Sequence, residues 1–234
     1  MTGSSIHLND EEIQYLSLLL GIIDSQNWQA LGHAILNNPT VFQSFARTVS
    51  RSSELNGMTI LHACVRFDPP PQIIQILLEL VPESPSCIDC LQRTPLHVAA
   101  GTAASLMTIQ LLVEACPRAC GVQDVDGKTP LHLACESTCE LFKGDRRIPP
   151  RGPPSCEVVQ TLVRASPLSV PLEDLEGMSA LEHAIFSDAP IQVIKLLQHV
   201  TRRQCERHQE KHYFDVTPAP QTSAATAIPA RRGE

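Results

Sequence analysis

The sequence predicts an all-α solenoid in which short helix pairs stack on one another, and three observations lead there. A Thr-x-Leu-His start recurs at Thr59-Ile60-Leu61-His62, Thr94-Pro95-Leu96-His97 and Thr129-Pro130-Leu131-His132, at successive intervals of 35 residues. A fixed period of this length marks a unit that cannot bury its own apolar face and must stack to do so. Each copy also closes alike, because Leu77-Leu78, Leu112-Val113 and Leu162-Val163 lie five and four residues before Pro82, Pro117 and Pro167. Composition agrees, since 43% of the 234 residues are hydrophobic while only 4% are aromatic. Leu, Ala, Ile and Val must then fill the core, which suits close-packed helices with small contact residues.

In chain order, residues 1–51 read as a helical N-terminal cap. A solenoid exposes an apolar face at each end, so its terminal units are expected to be atypical and polar on the outside. Asn9-Asp10-Glu11-Glu12 starts a helix that carries Ile13, Leu16, Leu19, Leu20 and Ile23 at helical spacing. A second helix is predicted near Asn27 to Leu36 and a third near Pro39 to Val49, with Trp28 packed between these and the first repeat.

Residues 52–212 hold the repeats, the fourth being a weaker copy, Ser179-Ala180-Leu181-Glu182-His183-Ala184. The Thr caps an inner helix, and Pro in its first turn needs no amide partner and has its φ already set. The Leu behind it enters the core. Small residues follow, so Cys64 and Cys135 read as core residues that let neighbours approach closely. Before each start lies an acidic turn: Glu54-Leu55-Asn56-Gly57, Asp124-Val125-Asp126-Gly127 and Asp174-Leu175-Glu176-Gly177. Glycine there permits the left-handed backbone of a hairpin. The second turn, Asp89-Cys90-Leu91-Gln92, has Gln92 in the glycine's place, and a distorted hairpin is expected from it.

These residues resemble the ankyrin repeat, with its Thr-Pro-Leu-His start, small-residue inner helix and paired aliphatics on an outer helix; the resemblance covers roughly residues 52–200. It implies finger-like hairpins, and a structural role for His62, His97 and His132, whose side chains would tie each helix start to backbone groups of a finger. The family unit is about 33 residues, so the two extra here are expected to lengthen the connection around the proline. After the third inner helix the interval grows to 50 residues. The insertion, at about 141–155, is rich in Pro and Gly and reads as a loop.

The last outer helix starts at Pro190-Ile191 and continues as a charged stretch through Arg202, Arg203, Glu206, Arg207, Glu210 and Lys211, a pattern that suits a solvated face. Residues 213–234 are expected to be a disordered tail, since the stretch from Asp215 onward is Pro, Ala, Thr and Ser with almost nothing to bury.

A net charge of −7 argues against a general nucleic-acid or anionic-membrane binder. Nine cysteines, an odd number with several at core positions, read as thiols of a reducing compartment. No basic segment precedes an apolar one at the N-terminus, and Ile13 to Ile23 falls short of a membrane span of about 20 residues. The expectation is a monomeric intracellular protein, cytoplasmic or nuclear. Phosphate loops, nucleophile elbows and paired zinc motifs are not found in full, so no cofactor or catalytic residue is assigned. Two metal readings stay open: Cys87 with Cys90, a zinc half-site without its second half, and Cys205, His208 and His212 along one helix face.

The resemblance implies a non-catalytic adaptor or scaffold that binds a protein through finger tips and inner helices. Subtracting the framework leaves Met58, Leu91, Arg93, Val125, Lys128, Leu175 and Met178 on the fingers. Arg66, Phe67, Glu136 and Phe186 remain towards the inner-helix ends, although Phe67 and Phe186 could equally be buried. Met58, Arg93, Lys128 and Met178 are read as one contact ridge, Arg93 and Lys128 foremost because a core role is not expected between a turn and a cap. Lys143, Arg146, Arg147 and Arg151, against Asp145 alone, make the insertion a possible contact for an acidic partner or phosphate. The alternatives are a regulatory subunit acting through that loop, or a metal-binding or enzymatic protein on a repeat scaffold.

Overall fold

The computed structural model describes residues 7–52, 54–137 and 152–216, with side chains through Arg207. Helix α1 (Asp10–Asp24) opens on a reciprocal cap: the Glu12 amide donates to the Asn9 side chain, and the Asn9 amide donates to Glu12, both at 2.9 Å. Leu16, Leu19 and Ile23 face inward, while Ile13 is exposed, because the helix needs one apolar stripe and not two. Helices α2 (Trp28–Asn37) and α3 (Pro39–Arg51) complete the cap. Tyr15 meets Phe45 edge to face at 4.8 Å, and Trp28 lies half-buried against the core.

Four helix pairs follow. They are α4 (Ile60–Val65) with α5 (Pro71–Leu80), α6 (Pro95–Gly101) with α7 (Leu106–Ala115), α8 (Pro130–Cys135) with α9 (Cys156–Ala165), and α10 (Ala180–Phe186) with α11 (Ile191–Val216). The inner helices pack in the order α4, α6, α8, α10, and the outer ones in the order α5, α7, α9, α11. Inner helices of six or seven residues are too short to be stable alone. Caps and neighbours hold them. Leu61, Leu96 and Leu131 enter the core as predicted, with Cys64 and Cys135 fully enclosed; burial pushes the Cys64 thiol well above its ordinary range.

The two extra residues per repeat are ordered. After α5, α7 and α9 the chain makes a 3₁₀ turn, at Ser84–Ser86, Pro117–Gly121 and Pro167–Ser169, and these turns pack on one another. The repeat is therefore a stack of three elements. Cys116 and Cys120, which share a helical spacing, fall on either side of this break: Cys116 caps α7, and Cys120 is buried in the 3₁₀ turn, its thiol pushed up to about 11 by burial.

No proline follows α11 at the place of Pro82, Pro117 and Pro167, so the helix runs on to Val216. Residues 213–216 of the expected tail are thus helical; the rest of it, 217–234, lies outside the described residues. Among the described residues no further element packs on the outer face of the fourth repeat. Ile185 and Phe186 stand exposed there, contrary to the expectation of a polar outer end. Among the described residues no helix is long and apolar enough to cross a membrane.

Candidate functional site

The second, third and fourth hairpins are each built around an acidic residue, Asp89, Asp124 and Asp174. One carboxylate oxygen of Asp124 accepts from the amides of Asp126 at 3.0 Å and Lys128 at 2.9 Å. Asp174 does the same for Glu176 at 2.9 Å and Met178 at 3.0 Å, and Asp89 for Leu91 and Arg93, both at 2.8 Å. The backbone closes the turns by a second pair of bonds, Asp124 with Lys128 and Asp174 with Met178, each at 2.9 Å. The expected distortion at Gln92 does not occur. Gln92 takes φ +58° where Gly127 has +76° and Gly177 has +75°, and Asp89 still donates to Arg93 O at 3.0 Å. Its bracing carboxylate holds a left-handed conformation that glycine would adopt without strain.

Neighbouring fingers are joined edge to edge. Cys90 donates to Asn56 O at 2.7 Å, Val125 to Leu91 O at 3.1 Å and Leu175 to Asp126 O at 2.9 Å. The tips therefore form a continuous ridge with fixed spacing.

The histidines clamp this ridge to the helices. His62, His97 and His132 each place Nδ1 at 3.0–3.1 Å from the amide of the capping Thr59, Thr94 or Thr129. Their Nε2 atoms donate into the next finger, to Arg93 O at 3.0 Å, to Val122 O at 3.1 Å and Lys128 O at 3.2 Å, and to Leu172 O at 3.0 Å. A carbonyl can only accept, so Nε2 carries the proton and Nδ1 is the acceptor. All three rings are neutral. Burial lowers their pKa values, that of His97 to about 4, against the pull of the carbonyls it binds.

The fourth repeat solves the same problem with other residues. Glu182 takes the clamp position, accepting from the Ser179 amide at 2.6 Å and hydroxyl at 2.8 Å. His183, one place later, is buried at 2.7 Å from Asp174 and lies edge to face with His132 at 5.8 Å. Burial raises the Asp174 carboxyl, but bonds from His183 and from the Met178 and Glu176 amides outweigh it and leave the pKa below its ordinary value. The one-residue shift from His to Glu-His in the sequence was the available signal for this exchange.

Among the site residues, Leu91, Val125 and Leu175 are exposed at the tips, Leu175 at 78%. Met58 and Met178 are half-buried. Arg93 and Lys128, expected to stand free, are engaged within the protein, with side chains only 15% and 19% exposed. Arg93 lies 3.5 Å from Asp124 and 3.9 Å from Asp126 of the next finger, and Lys128 Nζ is 2.8 Å from Glu136 at the end of α8. Arg93 meets carboxylates that stacking of the next repeat brings near, whereas Lys128 meets one at the end of its own repeat's inner helix. Arg66 lies over the Phe67 ring at 5.2 Å, and Phe67 packs on the core, whereas Phe186 is 78% exposed. Lys143, Arg146, Arg147 and Arg151 lie outside the described residues, as do the side chains of His208 and His212. Cys90 and Cys205 are exposed thiols, Cys87 is half-buried, and no three potential ligands converge among the described residues.

A family model for ankyrin repeats, in three copies, matches residues 61–143. The match runs from the first inner helix through the third, the part of the chain where the cap, clamp and finger pattern repeats with least variation. No curated protein matches the chain.

Proposed function

The chain is an ankyrin-repeat protein over residues 61–143, and we propose that it is a non-catalytic scaffold that holds a protein partner against its finger tips and inner-helix ends. Ankyrin repeats generally mediate protein–protein interactions. The observation that carries the reading is the row of Leu91, Val125 and Leu175, exposed apolar side chains on hairpins whose backbones are hydrogen-bonded to one another. A surface fixed before binding loses little entropy when a partner arrives, so a few apolar anchors can dominate the affinity. Met58, Arg93, Lys128 and Met178 form the half-buried floor behind the tips, with Arg66 and Glu136 at its inner-helix margin. We place the protein in the cytoplasm or nucleus, where its free thiols stay reduced.

The test is Leu91→Asp, Val125→Asp and Leu175→Asp together, compared with wild type in capture of partners from a native lysate. The expected outcome is about tenfold or greater loss of the captured partner, with helical content and melting unchanged. Equal capture by both proteins overturns the reading. Reversing Arg93 is a poorer test, since it would set a third carboxylate beside Asp124 and Asp126 and weaken the fold itself.

A further inference from the structure

We infer that the distal face of the fourth repeat is a second docking surface, fitted to a basic amphipathic helix of a partner protein. The inference goes beyond the finger-tip reading and stands without it. Its first support is register. Leu61, Leu96 and Leu131 occupy the second position after the cap in their repeats, Val65, Ala100 and Cys135 the sixth, and Ile74, Ile109 and Val159 the matching place on the outer helices. All nine are closed from solvent. The fourth repeat has Leu181, Ile185 and Ile194 at the same places, but Leu181 and Ile194 are only half-buried and Ile185 is 49% exposed. Phe186, the next residue in the chain, is 78% exposed, and among the described residues no further helix covers this face. It is the continuation of the surface on which every earlier repeat receives a helix pair, so its shape already suits helix packing.

The second support is charge. Between Arg164 and Lys195 the chain has no Lys or Arg, yet it carries Glu173, Asp174, Glu176, Glu182 and Asp188. Asp174 is engaged by His183, while the other four are at least partly exposed. An apolar face with an acidic rim is complementary to an apolar helix stripe flanked by Lys and Arg. A second copy of this chain would bring acidic rim against acidic rim, so the geometry does not favour self-pairing.

The test uses two fluorescein-labelled synthetic helices of about five turns with the same Leu stripe, one flanked by Lys and one by Glu, titrated with the full chain and read by anisotropy. The Lys-flanked helix is expected to bind, more weakly as salt rises, and the Glu-flanked one not to. Ile185→Ser with Phe186→Ser is expected to weaken binding about tenfold. Glu173→Lys with Glu176→Lys should weaken it independently of the apolar pair, and Leu91→Asp should leave it unchanged, which separates this face from the finger ridge. All these side chains are solvent-facing, and circular dichroism checks that each variant folds. Absent binding, equal binding by the Ile185/Phe186 variant, equal binding of the Glu-flanked helix, or a wild-type dimer that Ile185→Ser dissociates would overturn the inference.

Discussion

His62, His97 and His132 each accept an amide proton at Nδ1 and donate from Nε2 to a carbonyl, so protonation would remove an acceptor and bury a charge at once. The resemblance of these repeats to ankyrin made a structural role legible, and the structure adds that a ring three residues after the cap reaches back to the cap's amide. It also fixes a pH dependence. The folded pKa lies below the unfolded one, so the unfolded chain binds more protons in the interval between them and stability falls as pH falls through it. For His97, with a folded value of about 4 and an unfolded value of about 6.5, the loss on going from pH 7.5 to pH 5 is about 2 kcal/mol. His62 and His132 add losses of the same sign. Asp174 is lowered, and its contribution disappears only as pH falls below the ordinary carboxylate range, so the histidine window stands apart. Urea unfolding at pH 7.5 and pH 5 checks this; an unchanged midpoint would show that the rings take up protons as readily in the native protein as in the unfolded chain.

The finger is the element where sequence and structure diverge most usefully. Its acidic brace and glycine turn were readable from the repeat, but the behaviour of Gln92 was not, because the Asp89 carboxylate can hold the turn without glycine. Nor were the settings of Arg93 and Lys128, whose partners Asp124, Asp126 and Glu136 lie far off or on another element until the fold assembles. Opposite substitutions in equivalent turns should then have opposite effects. Gln92→Gly relieves left-handed strain, partly offset by the freedom glycine adds to the unfolded chain, for a net gain of at most about 1 kcal/mol. Gly127→Ala imposes that strain and sets a Cβ 2.9 Å from Leu175 N and 3.1 Å from Asp174 Cα, both backbone atoms of the next finger. A loss of about 2 kcal/mol is expected from it, read as a lower melting temperature, while Gln92→Gly leaves melting equal or higher.

The order of the helices was legible at the scale of the whole molecule because period, cap and aliphatic pairs recur along one dimension. The end face was not, since the charges that suggested a polar terminus sit on α11 after it has run past the fourth repeat. In a solenoid each repeat contacts only its neighbours, so equivalent residues should differ in energetic weight according to whether a neighbour follows. Leu61, Leu96, Leu131 and Leu181 occupy one register position, and among the described residues only Leu181 has no following inner helix. Replacement by Ala at each of the first three leaves a cavity between two repeats and is expected to cost about 3–5 kcal/mol. At Leu181 the lost burial is partial and the space opens to water, so about 1 kcal/mol is expected. Denaturant unfolding of the four variants measures the series. A Leu181→Ala cost equal to the others would mean that the distal face is covered in solution, and would turn the search for its occupant towards the chain itself; the expected small cost leaves the face open to a partner.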